Sequence, residues 1–132
     1  MYSITVSTGF TASHQLRLVG GNLEALHSHD WQVAASVQSP QLDAIETVMD
    51  FHALEALIRT IVTPWHNRRL NDLEPFKERW NPSAERVAEH IARALRPLLP
   101  QHVSTWSISV TEAPGCIATY RCERAAGRPT PD

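Results

Sequence analysis

In LHSHDWQV, Leu26 to Val33, two imidazoles stand one residue apart and the chain then alternates apolar and polar residues as a strand does. Residues i and i+2 of a strand project to the same side, so His27 and His29 can reach one cation. His14 ends an earlier alternating segment on its apolar parity, and Glu112 ends a later one in the same way. Ionisable groups aimed inward are costly to bury without partners, so four of them on apolar strand faces point to a shared metal or polar ligand. Three imidazoles suit Zn2+ and leave its fourth tetrahedral position open, as in catalytic rather than structural zinc. His-x-His by itself is equally compatible with hydrogen-bonded sheet histidines. Seven histidines against two cysteines favour metal or proton chemistry over a disulfide scaffold.

The elements that must position these groups follow from period and punctuation. Tyr2, Ile4, Val6, Phe10 and Ala12 share the parity of His14, and Trp31, Val33, Ala35 and Val37 share that of His27 and His29. From Asp50 the period lengthens: Phe51, Leu54, Ile58, Ile61 and Val62 form a helical stripe, with Asp50 as N-cap and Pro64 as a stop. A second helix is predicted from Asn81-Pro82-Ser83, carrying Val87, Ile91, Leu95 and Leu98 on one face, with Pro97 and Pro100 marking its end. Trp106, Ile108 and Val110 then share a strand face that Glu112 continues. Ala113-Pro114-Gly115 is a turn, and Cys116 to Glu123 returns as a strand. The order predicts an α+β domain, ββααββ, with a four-stranded antiparallel sheet and two helices on one face.

A chain of 132 residues has room for one domain with a real core, expected over residues 1–124; the small, Gly- and Pro-bearing AAGRPTPD, residues 125–132, is expected to be a flexible tail. Twelve basic residues against 14 acids give no strong field to draw in nucleic acid or an anionic membrane. No apolar run approaches the roughly 18–20 residues that cross a bilayer, and MYSITVSTGF has neither a basic start nor an apolar block. The expectation is a soluble cytoplasmic protein without nucleic-acid or membrane partners. Cys116 and Cys122 share one predicted strand, roughly 20 Å apart at about 3.3 Å per residue. That is too far for a disulfide, whose Cα atoms lie within about 7 Å. Cys116 is expected to be a buried strand thiol.

Five segments in order, FTASHQL, EALHSHDWQV, VMDFHALEALI, RLNDL followed by NPSAERVAEHI, and SVTEAPGCIATYR, resemble the 6-pyruvoyl-tetrahydropterin synthase family, including the bacterial 6-carboxy-tetrahydropterin synthases of queuosine biosynthesis. The resemblance runs from about residue 4 to residue 122. It implies a tunnelling fold, in which three subunits close their sheets into one barrel and two trimers stack into a hexamer, with sites between subunits. It implies zinc ligation by His14, His27 and His29, and a role for Glu112 in anchoring the pterin ring. A carboxylate can accept two parallel hydrogen bonds from the 2-amino and N3–H edge of a pterin, as it does from a guanidinium. The implied activity is a zinc-dependent lyase working on the side chain of 7,8-dihydroneopterin triphosphate or a related dihydropterin.

The sequence departs from the family pattern in two places. Where the family has a catalytic cysteine this chain has Leu23, and Glu24 one residue on gives Glu-x-x-His-x-His. That motif looks like the variant subgroup in which a glutamate replaces the cysteine and cleavage is aldolase-like. Glu24 then becomes the candidate general base if burial lifts its pKa, with a solvated loop acid as the plain alternative. Where the family has an Asp-His pair, this chain has His66 and Asn67, so His66 is either a displaced proton shuttle or a surface histidine. Arg68 and Arg69 could hold a triphosphate or be solvated charge. His52, His90 and His102 are read as structural. A chain with metal and ring ligands but altered shuttles could also bind pterins without turning them over.

Overall fold

The computed structural model describes residues 1–125; all but the first residue of the expected tail lies outside that range. Seven main elements follow in order: β1 (Tyr2–His14), β2 (His27–Ser39), α1 (Phe51–Val62), β3 (Arg68–Arg69), α2 (Ala84–Leu95), β4 (Thr105–Ala113) and β5 (Cys116–Glu123). They form one sheet in the order β3-β1-β2-β4-β5, antiparallel except where the two-residue β3 runs parallel to the end of β1. The expected α+β architecture is observed, with β3 as an addition. Two residues in a connecting segment are too short to show a two-residue period, so only tertiary pairing reveals them.

The helices form where the caps require. Asp50 accepts the Ala53 N–H at 2.8 Å and Ser83 accepts that of Arg86 at 3.2 Å, each satisfying an amide that the first helical turn leaves without a partner. Helix α1 lies against β1, and α2 against β4 and β5. Between helices and sheet lie Trp31, Trp106, Leu54, Ile58, Ile91, Leu95 and Ile108, all essentially removed from water. Alternation along β1, β2 and β4 supplies this core from one sheet face only. Each fully buried large side chain contributes on the order of 1.5–3 kcal/mol.

Phe51 and Leu98, expected on the buried stripes, are 55% and 47% exposed. Phe51 is the first residue of α1, before the helix meets the sheet. Leu98 follows the end of α2, and Leu99 takes the buried place in that turn. Ala88 and Ala92 complete the inner face of α2. Tyr2, at the start of β1, is also exposed. Among the described residues, no helix is long and apolar enough to cross a membrane.

Candidate metal centre and the hollow beside it

Register decides which side chains meet. In the β1–β2 ladder His14 stands opposite His27 and Ala12 opposite His29, so three imidazoles gather at one end of the sheet. Beyond them Trp31 is fully buried, its ring edge-on to His14 at 4.9 Å and to His29 at 5.8 Å. The Trp31 indole N–H donates to Ala12 O at 3.1 Å, which holds this floor in place. Glu112 comes from β4 at an irregularity in the pairing with β5: Thr111 faces Ile117, Ala113 faces Cys116, and the residue between them has no counterpart. Such bulges bend a strand and re-aim a side chain. One ligand atom each from His14, His27, His29 and Glu112 lies within 4.8 Å of every other.

Hydrogen bonds behind the cluster fix which atoms face it. His14 Nδ1 lies 2.7 Å from Pro82 O, a carbonyl that can only accept, so Nδ1 carries a proton and Nε2 is the atom that faces inward. Glu24 Oε1 lies 2.9 Å from His27 Nε2, which likewise places the proton there and turns the Nδ1 lone pair toward His29 Nε2, 2.5 Å away. Glu112 Oε1 stands 2.7 Å from His14 Nε2 and 3.1 Å from His29 Nε2. His14 Nε2 is sealed from water without a hydrogen-bond partner of its own; the carboxylate oxygen facing it is another acceptor. Four ligand atoms brought this close, one of them a buried His14 nitrogen without a hydrogen-bond partner, make a ready site for a cation. Burial pushes the His29 imidazole below its ordinary pKa despite the opposing Glu112 carboxylate, which favours the neutral, ligating form.

These residues fit a divalent metal with N and O ligands, the donor set of zinc sites. Beside the cluster a hollow of about 420 Å3 is lined by His29, Asp30, Gln32, Thr111 and Glu112. That volume falls in the range of about 300–1,000 Å3 typical of small-molecule sites. A second hollow, about 210 Å3, touches Glu112 from the side of Glu85, Cys116 and Ile117.

Glu24 is near the cluster, but its electrostatics reverse the sequence expectation. Hydrogen bonds from His27 and from the Leu16 N–H hold its carboxyl below the ordinary range and outweigh the upward push of burial. A carboxylate so stabilised is suited to holding the proton on His27. Leu23, at the family cysteine position, is exposed.

His66 does not join the cluster within this chain. It lies at the outer edge of β1, where its Nδ1 accepts the Thr11 N–H at 3.1 Å, and it lines a separate hollow of about 240 Å3 with Gly9, Arg59 and Thr63. A backbone amide thus orients the ring in place of an adjacent acid. Asn67 follows in the left-handed region at φ 59°, tolerated by asparagine, and its N–H donates to Thr11 O. Arg69 is engaged with Asp72 and Gln15 at 2.7 and 2.6 Å, whereas Arg68 is exposed. Cys116 is exposed, against expectation, because the bulge and turn carry it to the rim of the smaller hollow; Cys122 is the buried thiol, its pKa pushed up by that burial. His52 is exposed on α1, His90 packs against Trp65 and Phe76, and His102 binds Val48 O.

Two positioning residues escaped the sequence reading. Asn71 accepts the Gln15 N–H at 2.9 Å and donates to Gln15 O at 2.8 Å; Asn81 does the same for Arg17, at 2.8 and 3.0 Å. These side-chain amides imitate a neighbouring strand and clamp the chain just after His14. Their only sequence signal is that they sit in RLNDL and NPSAERVAEHI, segments that carry the resemblance.

Comparison with known proteins gives the chain its family and supports its fold. The chain matches the family model described as 6-pyruvoyl tetrahydropterin synthase over residues 3–123. No curated protein matches it. Among solved structures it is similar to a Plasmodium vivax 6-pyruvoyltetrahydropterin synthase bearing a catalytic glutamate replaced by alanine: TM-score 0.78, 17% identity, 93% of this chain and 98% of that one. It is also similar to the Caenorhabditis elegans 6-pyruvoyl tetrahydropterin synthase, with TM-score 0.74, 20% identity and coverage of 92% and 96%. An uncharacterized Wolinella succinogenes protein aligns at TM-score 0.56 and 17% identity over 95% of this chain and 100% of that one. The chain belongs to the 6-pyruvoyl tetrahydropterin synthase family.

Proposed function

We propose that this protein is a zinc-dependent lyase that acts on the side chain of 7,8-dihydroneopterin triphosphate or a related dihydropterin. Members of its family are lyases. The observation that carries the reading is the convergence of one ligand atom each from His14, His27, His29 and Glu112, within 4.8 Å of one another, at the edge of a hollow of about 420 Å3. The three imidazole nitrogens would hold the metal. A zinc ion bound there supplies Lewis acidity that lowers the pKa of a coordinated side-chain hydroxyl.

The chain's own groups do the rest. The Glu112 carboxylate orients the pterin by its amino edge and so sets the side chain over the histidines. Glu24 holds the His27 ring by the Nε2–H to Oε1 hydrogen bond, and its other carboxylate oxygen is the atom we assign to take the proton the substrate loses, as a weaker base than a free glutamate. A glutamate is named as a catalytic residue in the Plasmodium vivax relative, which supports giving Glu24 that role here. His66 serves a neighbouring subunit's site in a trimer or a hexamer of two trimers. Among the described residues, the side of β5 away from β4 and, over the first half of β1, the side away from β2 have no strand partner, which leaves both edges of the sheet available for that closure.

The test is to incubate zinc-loaded protein with dihydroneopterin triphosphate and identify products by mass spectrometry. Turnover that disappears in Glu24→Ala supports the lyase. Leu23 at the cysteine position and the exposed His66 favour a second reading, a pterin-binding protein without turnover; pterin bound tightly with no product formed selects it. Protein that neither binds nor converts pterins overturns both.

A further inference from the structure

Glu112 has been assigned to the pterin ring, yet its Oε1 lies among the imidazole nitrogens. It stands 2.7 Å from His14 Nε2 and 3.1 Å from His29 Nε2. With Nδ1 turned to Pro82, the shorter contact sets Nε2 against a carboxylate oxygen. A nitrogen and a carboxylate oxygen at that separation share a positive centre, either a proton on the ring or a metal ion beside both. Three imidazole nitrogens and one carboxylate oxygen make a complete four-donor set for a tetrahedral divalent ion. The bulge between Thr111 and Ala113 brings Glu112 there, and the same side chain borders both hollows, one shared with His29 and Gln32 and the other with Glu85 and Cys116.

We propose that Glu112 is the fourth protein donor of the metal site in the resting protein, and that a pterin entering the hollow draws the carboxylate away and opens the position that its side chain then takes. The second half rests on the pterin reading given above; the first half stands without it. A closed four-donor site keeps the metal inactive until substrate arrives, because catalytic zinc needs one position that the protein does not fill.

The experiment measures zinc affinity by competition with a chromophoric chelator, and the visible spectrum of protein loaded with cobalt(II), in wild type and Glu112→Gln. Each is read with and without 7,8-dihydroneopterin, whose binding is followed separately by calorimetry. Glu112→Gln keeps the size of the side chain, and thermal melting of the metal-free proteins checks that the fold survives. If it does not, Glu112→Asp, which keeps the charge but withdraws the oxygen by one methylene, is read in the same way.

Removing a donor should lower zinc affinity at least about tenfold, the scale on which even outer-shell partners act. It should also change the cobalt spectrum before any pterin is added. Dihydroneopterin should change the wild-type spectrum, as its side chain replaces the carboxylate. Unchanged zinc affinity and an unchanged cobalt spectrum in Glu112→Gln overturn the fourth-donor assignment. A wild-type spectrum indifferent to pterin that calorimetry shows to be bound overturns the exchange. Calorimetry that detects no pterin binding overturns the pterin reading, and the fourth donor is then judged by the chelator measurement alone.

Discussion

Two hollows of similar size open on one sheet. One, about 420 Å3, lies at the far end of β4 beside His29 and Glu112; the other, about 370 Å3, lies at the near end, lined by Gln38, Thr105, Ser107, Arg121 and Glu123. Polar side chains line both, so neither size nor residue type separates them. The state of their hydrogen bonds does. At the near end Thr105 donates to Gln38 at 2.9 Å, and the Trp106 indole beneath donates to Ala92 O at 2.8 Å. At the far end His14 Nε2 is buried without a donor, and three further acceptors crowd around it. A group with no partner inside the protein is waiting for one from outside.

The comparison breaks most directly at His29. His29→Ala removes an inward nitrogen, and the protein as purified should lose its metal altogether, from about one ion per chain in the wild type. Metal analysis of both proteins checks this, and equal content in the two would remove the ground for placing metal at the far end. Next in size is Glu24→Gln. An amide can offer its NH2 to His27 and so loosen the tautomer that turns Nδ1 inward; loss of such an outer partner typically costs about 10- to 100-fold in metal affinity. Competition with a chelator measures it, and His27 ring nitrogens followed by NMR should show the proton no longer confined to Nε2.

Asn71→Ala sharpens the comparison from a distance, because the side chain touches no ligand. It removes two hydrogen bonds to the Gln15 backbone and leaves those groups to find water in a half-buried place, for a loss of about 2 kcal/mol of stability. Urea unfolding of the metal-free protein reads that loss. Metal affinity should fall less than in Glu24→Gln, since the His14–Pro82 contact and the β1–β2 register both remain.

How far the sequence discloses this molecule follows from the range of each interaction. His14, His27 and His29 were legible because side chains alternate along a strand, so parity says which way each one points; Glu112 depends also on the bulge in β4, which parity does not show. Asp50 and Ser83 were legible as caps because a cap acts within three residues. Phe51 and Leu98 were misplaced by extending helical periodicity to residues where the helix no longer faces the sheet. Pro82 behind His14, Asn71 on Gln15 and Thr11 under His66 were invisible: these contacts join residues 55 to 68 apart in the chain, and nothing local marks them. Glu24 lies three residues from His27, yet whether burial or hydrogen bonding governs its proton depends on the Leu16 amide across the loop.

The smallest effect is expected at the near-end hollow, and it is what gives the contrast its force. Arg121 is exposed and projects from the outward face of β5, opposite Ser107. Arg121→Ala exchanges a solvated guanidinium for a methyl group, and substitutions of that kind away from a cap, a buried pair or a core contact stay within about 0.5 kcal/mol. Metal content and pterin binding should match the wild type, measured side by side with His29→Ala. Subunit closure along β5 is the one route by which Arg121 could matter more, and sedimentation velocity on the same sample isolates it. A changed mass with intact metal would place Arg121 at an interface and leave the far-end site as described. Lost metal at unchanged mass would mean that the near-end hollow also holds an ion, and that unmet acceptors are a poorer guide than the histidine cluster makes them look.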